Sequence, residues 1–495
     1  MKKEKIFDSL LYILIFFTIL SIIIVKPIND LDEIWNFNFA RNTSNGLVPY
    51  RDFNMIITPG LSLICGIILK IIGNELIVMR LLAGLLCTFV IYITYRLFSI
   101  LNIKKELSII FTFFIGYLFY DCFCIDYNFA TLLLVLFIIY KEIKLYKKDN
   151  IFIKQYRKTD IFLGVLAGLT ITMKQTSGLI ICIVLLGNKL LFVRNKEEFR
   201  KYIGSFCYRL IGVMIPILVL FIYLVVNNAF YDFISYTIKG ITDFSNYISY
   251  RGLIKLDIIG VLAIIVPVAI IYAWCKSIIK EKDKKLYILL VYGMSIFVLA
   301  FPISNKIHFL IGALPIIILI FYEIYNVLYK LYKNKVKYKR IVICILIFFS
   351  TFTLLFTLYY GIKNMYEYFV NRENFSTLNS FKYITMSKDL ENSIKKVEDY
   401  ILSSEEKVLI LDSSAAIYMI PIDRYNKDYD MFNKGNFGEN GEKRLIKDIE
   451  KSENIKYLVL NNNYKKNWQT PTEVISYVQK NKTKIGQIEI FDVYQ

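Results

Sequence analysis

The sequence predicts a polytopic α-helical membrane protein with a small C-terminal α/β domain. Of the 495 residues, 56% are hydrophobic and only 20% are charged. Apolar runs long enough to cross a bilayer, or nearly so, recur through the first 360 positions, and shorter runs alternate with helix-like segments after them. This composition excludes a soluble enzyme, a secreted disulfide scaffold and a disordered chain.

Eleven apolar segments are predicted to span the membrane. Alternating them from a cytoplasmic N-terminus places most Lys and Arg residues in cytoplasmic connections and leaves the chain after residue 360 outside. The protein is therefore expected in the plasma membrane, with many passes and an extracytoplasmic C-terminal domain. The predicted spans are 8–25, 76–100, 107–121, 128–140, 160–173, 176–193, 203–226, 256–275, 286–302, 307–327 and 340–360.

The net charge of +19 belongs to the membrane part. Residues 361–495 hold 20 basic and 20 acidic side chains, so the whole excess lies in residues 1–360. Basic residues that collect in cytoplasmic loops explain this excess better than nucleic-acid binding does. The expected partner is therefore the lipid bilayer, and no nucleic-acid partner is expected.

The segment 59–72 is apolar but only about 14 residues long, which is short for a helix that crosses the membrane. Counting it as a span would move Lys104, Lys105 and the Lys-rich connection 141–158 to the outer side. The charge bias therefore predicts an interfacial or re-entrant helix within the first outer loop, residues 26–75.

Strand and helix patterns alternate near the C-terminus. KVLILDSS and IKYLVLNN are short β-branched runs, EKRLIKDIEKSE and TPTEVISYVQKN have a helical pattern, and IGQIEIFDVY is predicted to be a final strand. The resulting organisation is a transmembrane domain over 1–360, a linker over 361–395 and an extracytoplasmic α/β domain over 396–495.

The first outer loop carries candidate catalytic residues. Asp32 and Glu33 follow the first span directly, and Arg41 and Arg51 come later in the loop. A carboxylate beside low-dielectric material can have a raised pKa and act as a base. Alternatively, Asp32 and Glu33 cap an interfacial helix that begins near Ile34. The residues alone leave both interpretations open.

Further polar residues fall at predicted outer boundaries. Lys174 interrupts apolar sequence in MKQTSG, Lys306 precedes the single histidine, His308, and Asp121 and Asp126 flank a short turn. A snorkelling lysine and a structural histidine are the simpler interpretations. Together, however, cations and carboxylates at one membrane face suit a phosphate on a long isoprenoid tail: the cations bind the phosphate, and a carboxylate deprotonates an incoming hydroxyl. Arg80, inside the second span, implies a partner or a lipid headgroup.

These features resemble the GT-C superfamily of membrane glycosyltransferases, in particular protein O-mannosyltransferases and lipid-A aminoarabinose transferases. The resemblance rests on Asp32-Glu33 after a short first span, GLVPYRDF, a Pro-led helix at Pro59, the MKQTSG and KIH turns, and an outer C-terminal α/β domain. It covers the chain from end to end.

The resemblance implies inverting transfer of a sugar from a polyprenyl-phosphate donor to a glycan, lipid or protein acceptor on the outer face. It assigns catalysis to Asp32, with Glu33 orienting it or the acceptor, and places Lys174 and His308 near the donor. Some relatives carry a lysine before the proline, where this chain has Thr58. Further residues expected to bind the donor phosphate or the substrate are therefore Arg51, Lys306, Arg41 and Asp126.

No cofactor or metal is expected, although Asp32, Glu33, Asp121 and Asp126 could hold a divalent metal if they met in space. Two alternatives to an enzyme are considered. A flippase or transporter of lipid-linked sugars would more typically show internal repeats and ionisable residues at the midplane. A non-enzymatic envelope assembly protein would tolerate substitution of Asp32, Arg51 and His308.

Overall fold

The computed structural model describes residues 2–28, 31–146, 157–240, 248–280, 283–333, 339–461 and 469–495. The chain divides into two compact units, each assembled from segments far apart in sequence. The helical unit comprises Met1–Ile23, Ala83–Val219 and Tyr247–Tyr366. The sheet unit comprises Ile24–Leu82, Leu220–Asn246 and Glu367–Gln495. Most of the basic connection 141–158 lies outside the described residues.

Helices dominate the first 370 residues. Most of them contain long apolar stretches, and a backbone inside a bilayer must satisfy its own hydrogen bonds, which favours a helix. In chain order they are α1 (Lys2–Ile24), α2 (Leu31–Ser44), α3 (Gly60–Ile72), α4 (Leu76–Ile100), α5 (Lys105–Leu118), α6 (Tyr127–Tyr146), α7 (Arg157–Met173), α8 (Gln175–Gly187), α9 (Lys196–Val226), α10 (Phe230–Ile234), α11 (Ile258–Trp274), α12 (Lys284–Phe297), α13 (Lys306–Lys333) and α14 (Lys339–Val370).

Each of the eleven predicted spans falls on one of these helices. Among the described residues, six helical stretches are long and apolar enough to cross a membrane: Ile6–Ile24, Leu76–Ile100, Gln175–Phe192, Lys196–Val226, Ile258–Ser277 and Lys306–Lys330. The protein is therefore a multi-pass membrane protein, and the count of eleven spans stays a prediction. Some ends were misplaced: α9 begins before residue 203, and α14 continues past residue 360.

The short helix in the first outer loop is α3, which has 13 residues. At 1.5 Å per residue it is about 20 Å long, less than the roughly 30 Å hydrocarbon core, so it cannot cross the bilayer unaided. It packs closely against α2, because a Cβ at Gly66 would lie 2.7 Å from the side chain of Thr43. Its opposite face exposes Ile64, Ile67 and Ile71, as an interfacial helix requires.

The helical unit contains a network of charged side chains that are almost completely buried. Arg209 of α9 donates from Nε to Asp160 of α7 at 2.9 Å and also bonds Glu142 of α6. Lys189, just after α8, bonds Asp160 at 3.0 Å. The two cations and two carboxylates balance in charge, which is how such groups are tolerated away from water. This network ties α6, α7 and α9 to the turn that follows α8.

Close packing of α7 on α9 brings these groups within reach. A Cβ at Gly164 would lie 2.1 Å from the carbonyl oxygen of Arg209, and one at Gly212 would lie 2.2 Å from that of Ile161. Any larger residue at either position would force the helices apart. Small residues at membrane helix interfaces allow this close approach.

The C-terminal part of the sheet unit is a small α/β fold, as predicted. Its strands are in the order β1-β2-β4-β3, with β1 parallel to β2 and the other neighbours antiparallel. The elements in chain order are α15 (Lys388–Ser403), β1 (Lys407–Ile410), α16 (Ala415–Met419), α17 (Gly441–Lys451), β2 (Ile455–Leu460), α18 (Thr472–Asn481), β3 (Lys484–Ile488) and β4 (Phe491–Tyr494).

One strand prediction was wrong. IGQIEIFDVY is not a single final strand, because the backbone turns at Glu489, which has a φ of 49°, and β3 and β4 form an antiparallel hairpin. The reversal places the fully buried β4 between β2 and the exposed β3. Residues 361–395 hold the end of α14, two 3₁₀ turns and the start of α15.

The core of this fold lies between the sheet and its helices. Leu445 and Ile449 of α17, four residues apart, and Val474 and Val478 of α18 pack with Tyr457 of β2. This i, i+4 spacing puts the apolar side chains of each helix on one face, and the sheet covers that face.

Candidate functional site

The sheet unit holds Asp32 and Glu33 in different environments. Glu33 is buried, and its two carboxylate oxygens accept hydrogen bonds from Nε and Nη2 of Arg80, both at 2.9 Å. Asp32 is exposed, and its backbone carbonyl accepts from Nδ2 of Asn36 at 2.8 Å. The neighbouring carboxylates therefore differ in accessibility: Glu33 is buried in an ion pair, whereas Asp32 is exposed.

Arg80 is completely buried, and it anchors the chain entering α2. Besides Glu33, its Nη1 donates to the carbonyl of Lys26 at 2.5 Å and to that of Ile24 at 3.2 Å. The partner predicted for Arg80 from its place within a span is thus Glu33. The bidentate geometry is the strong form of an Arg–carboxylate pair.

The alternative that Asp32 and Glu33 cap a helix beginning near Ile34 had the wrong starting residue. The helix begins at Leu31 and not near Ile34, so Asp32 and Glu33 lie within its first turn. Carboxylates in a first turn still interact favourably with the helix dipole. The anchoring of Glu33, however, depends on Arg80 and not on the helix end.

Two further contacts fix α2 on the C-terminal fold. The indole N–H of Trp35 donates to the carbonyl of Ser413 at 3.0 Å. Arg41 bonds the carbonyl of Ile420 and lies 3.4 Å from Asp423. Arg41, a predicted phosphate-binding residue, is therefore engaged by the protein itself.

Arg51 has similar local partners. Its Nε and Nη2 bond the two carboxylate oxygens of Asp52 at 2.9 and 2.8 Å, and its Nη1 donates to the carbonyl of Asn227 at 3.2 Å. This guanidinium holds the pKa of Asp52 below its ordinary value. The Arg51 side chain remains 43% exposed.

The helical unit brings together candidates from three separate segments. Nζ of Lys174, between α7 and α8, donates to Oδ1 of Asn128 at 2.9 Å and lies 5.3 Å from the ring centre of Tyr127. Asp126 is 4% exposed, and its Oδ1 accepts from the backbone N–H of Asn128 at 2.6 Å. His308 lies close enough to Lys174 to interact electrostatically with it.

The same segments are joined by a second contact. Nζ of Lys306 bonds Oδ1 and Oδ2 of Asp121 at 2.6 and 2.9 Å, and both side chains are exposed. Nδ1 of His308 lies 2.7 Å from Oδ1 of Asn305. The turn 121–126, the turn at Lys174 and the start of α13 thus form one cluster, which we call the lysine cluster (Asp121, Asp126, Lys174, Lys306 and His308).

Burial shifts the pKa values of Lys174 and Asp126, the central pair of the lysine cluster. It lowers the pKa of Lys174 to about 8, partly opposed by the carboxylate of Asp126. It also raises the pKa of Asp126, opposed by the N–H of Asn128 and the charge of Lys174. A lysine in this state gains most from an incoming anion, because an anion restores the charged form that burial disfavours.

Sequence reasoning identified most of these residues but not all of their partners. The sequence did not single out Asn128, which joins Lys174 to the start of α6, or the pairing of Arg80 with Glu33, residues 47 apart. The polar pair Tyr127-Asn128 at the start of an apolar helix was the available signal. Arg41 and Arg51, two of the expected phosphate ligands, each already bind a backbone carbonyl and a carboxylate of the protein.

Among the described residues, no group of three or more His, Cys, Asp or Glu side chains is placed to hold a metal ion. Asp121 and Asp126 are each engaged by a lysine or a backbone amide. The absence of a cofactor stays a prediction.

Comparison with solved structures identifies the fold. No protein-family model and no curated protein matches the sequence. The crystal structure of ArnT from Cupriavidus metallidurans in the apo state superposes with a TM-score of 0.60 at 10% identity, over 100% of this chain and 98% of ArnT. This chain has the GT-C fold. The resemblance seen in the sequence is thereby confirmed at the level of the fold.

Other GT-C structures are also similar to this chain. ArnT from Cupriavidus metallidurans bound to undecaprenyl phosphate gives a TM-score of 0.59 at 9% identity, over 99% of this chain and 98% of ArnT. An Archaeoglobus fulgidus oligosaccharyltransferase gives 0.46 at 12% identity, over 90% of this chain and 68% of that one. The similarity to ArnT covers 99–100% of this chain.

Proposed function

We propose that this chain is a membrane glycosyltransferase that moves a sugar from a polyprenyl-phosphate donor to an acceptor. The reaction takes place on the outer face of the plasma membrane, with Asp32 as general base. The N-terminus lies in the cytoplasm and the C-terminal domain outside. ArnT of the same fold binds undecaprenyl phosphate, and this supports a donor of the same chemical kind.

The division between Asp32 and Glu33 is the observation that carries the proposal. Arg80 holds Glu33 in a buried, bidentate ion pair, which fixes the start of α2. The exposed Asp32 sits one residue away on this rigid support, and a general base needs such a fixed position within reach of its substrate. Glu33 is therefore a positioning residue.

The reaction follows from these roles. Asp32 takes the proton from an acceptor hydroxyl, and the oxygen forms a bond to the anomeric carbon of the sugar. The bond between that carbon and the phosphate oxygen breaks, and its electron pair leaves with the polyprenyl phosphate. A single displacement of this kind inverts the anomeric configuration.

The lysine cluster is assigned to the donor phosphate. Lys174 is half-buried among Tyr127, Asn128 and Asp126, and Lys306 is exposed on the same set of segments. Cations held in a partly dry site bind a phosphate strongly and stabilise the charge that it gains as a leaving group. Arg51 is a weaker candidate, because Asp52 already binds two of its nitrogens.

Mass spectrometry of envelope glycans and lipids tests the function. Cells lacking the protein are compared with the same cells complemented by the wild type. We expect one glycosidic product to disappear in the deletion and to return with the wild type. Unchanged envelope glycans in the deletion would contradict the proposal. Movement of lipid-linked sugar across vesicle membranes without formation of a glycoside would identify a flippase instead.

A further inference from the structure

The C-terminal fold has a pocket of about 290 Å³ that none of the assigned roles uses. Its floor is apolar and almost fully buried, and consists of Ile401 of α15, Val408 of β1 and Met419 of α16. Its rim is polar and consists of Lys407, Asp423, Arg424, Tyr425 and Asn426. A concave site with an apolar base and a few convergent polar groups is the usual form of a small-ligand site.

The charge of the rim favours an anion. Lys407 and Arg424 are exposed, and no described carboxylate lies within ion-pairing distance of either. Asp423, the acid on the rim, is already matched by Arg41 at 3.4 Å and by Nδ2 of Asn45 at 2.8 Å. The buried Asp430, which accepts from the N–H of Asn426, also interacts electrostatically with Lys407. Two cations therefore face the ligand, and the nearby acids Asp423 and Asp430 are both already bound within the protein.

The turn that carries the rim is held in place before any ligand arrives. The backbone N–H of Asp423 donates to the carbonyl of Ile420 at 3.2 Å, and that of Arg424 donates to the carbonyl of Met419 at 3.2 Å. The N–H of Asn426 donates to Oδ2 of the buried Asp430 at 3.1 Å. A preformed rim reduces the entropy that a ligand must lose on binding.

The exposed ring of Tyr425, at 45% exposure, selects a ligand that also has a flat apolar face. A sugar ring offers such a face together with hydroxyls that can bond Asn426. An anionic substituent on the sugar would meet Lys407 and Arg424. A phosphate ion by itself would use the cations but not the ring or the apolar floor.

The pocket connects to the helix of the proposed base. Arg41, which binds Asp423 on the rim, lies nine residues after Asp32 on α2. At 1.5 Å per residue the two are about 13 Å apart along the helix axis. Nine residues at about 100° each also place Arg41 and Asp32 on opposite faces of α2, so a glycan of several sugar units would have to pass around the helix as well as along it.

We propose that this pocket binds an anionic sugar unit of the acceptor, with Tyr425 against the ring and Lys407 and Arg424 on the negative group. The inference rests on the proposed transferase function and names the chemical class of its acceptor, a glycan carrying phosphate or carboxylate groups. The pocket holds one unit of the acceptor while a hydroxyl further along the glycan reaches Asp32.

Ligand-observed NMR on the full chain in nanodiscs tests the pocket directly. The probes are glucose 6-phosphate, glucuronate, glucose and inorganic phosphate. We expect both anionic sugars to bind, with glucose and inorganic phosphate at least about tenfold weaker, since each lacks one half of the recognition. The double variant Lys407→Gln/Arg424→Gln should weaken binding of the anionic sugars at least about tenfold, and Tyr425→Ala should weaken it as well.

The matched control removes the same charge from the same domain. Lys443 and Lys447 are exposed on α17 and line no part of the pocket, so Lys443→Gln/Lys447→Gln should bind like the wild type. Unchanged binding in the Lys407→Gln/Arg424→Gln variant would overturn the inference. Inorganic phosphate that binds as tightly as the sugar phosphate would overturn it too, since the site would then recognise an anion alone.

A second readout separates this inference from the proposed function. Asp32→Asn should bind the anionic sugars normally while transferring nothing. If the wild type transfers sugar but the Lys407→Gln/Arg424→Gln variant does so with an unchanged KM for the acceptor, the pocket inference is wrong and the transferase stands. If the sugars bind as expected and no transfer occurs with the wild type, the transferase proposal is wrong.

Discussion

Arg80 and Glu33 form a buried, bidentate ion pair, with Nε and Nη2 of the arginine each 2.9 Å from a carboxylate oxygen. The pair joins α4 to the first turn of α2, although 47 residues separate the two positions. It fixes the backbone that presents Asp32. The exposed carboxylate depends for its position on the buried one.

Breaking this pair should destabilise the protein. Glu33→Gln leaves the guanidinium of Arg80 buried without its counter-charge, which costs about 3–5 kcal/mol of unfolding free energy. Thermal unfolding in detergent would show a large fall in Tm. Arg80→Met added to Glu33→Gln should restore part of the loss, whereas Asp32→Asn alone should leave Tm almost unchanged. Equal Tm values for Glu33→Gln and the wild type would contradict the structural role.

The network around Arg209 should be structural and not catalytic. Arg209→Met leaves Glu142 and Asp160 buried with only Lys189 as a cation, so folded protein should fall sharply. Glu142→Gln in the same chain should recover part of the yield. Arg200, exposed on the same helix, offers the control Arg200→Met, which should not change the yield. A normal yield of Arg209→Met with lost activity would point to a functional role instead.

The charge of Lys174 should limit activity at high pH. Burial lowers its pKa to about 8, so the free protein loses the phosphate-binding cation as pH rises through that value. The profile of kcat/KM for the donor, which reports the free enzyme, should therefore fall above about pH 8. Lys174→Arg keeps its charge at all relevant pH values and should remove this limb. If kcat/KM of the variant still falls above about pH 8, the fall is caused by the titration of another group.

Asp430 should make the C-terminal fold less stable at neutral than at acidic pH. Burial raises the pKa of this carboxyl to about 7, well above the value of an unfolded aspartate. Between these two pKa values the folded state binds more protons, so the free energy of unfolding falls as pH rises from about 4 to about 7.

Asp430→Asn removes that titration. The variant should have a Tm at least about 3 °C above the wild type at pH 8, and a clearly smaller difference at pH 5, where only part of the destabilisation has developed. Differential scanning fluorimetry at both pH values measures the effect, with the exposed Glu453→Gln as control. A Tm difference that does not depend on pH would contradict the raised pKa.

Much of the fold could be predicted from local patterns in the sequence. Long apolar runs located the helices, and β-branched runs located β1 and β2. The hairpin of β3 and β4 was missed, because Ile485 to Tyr494 has continuous strand propensity and the turn at Glu489 depends on pairing with β2. Pairing partners lie far away in sequence, and no local pattern records them.

The candidate site was predicted in the same uneven way. Lys174, His308 and Asp126 stood out as polar residues at the ends of apolar runs, and the structure brings them together. The burial of Glu33 beside an exposed Asp32 could not be predicted, because adjacent acids have the same local signal. Only the position of Arg80 on α4 distinguishes them.

The most direct measurement of the central claim is transfer by purified Asp32→Asn. The assay uses a synthetic polyprenyl-phosphate sugar and the acceptor identified from the envelope comparison, with Tm and donor binding measured on the same preparation. Since the amide cannot accept the proton of the acceptor hydroxyl, kcat should fall by at least about 100-fold while Tm and donor binding stay at wild-type values. Wild-type kcat in this variant would contradict the assignment of Asp32 as the general base.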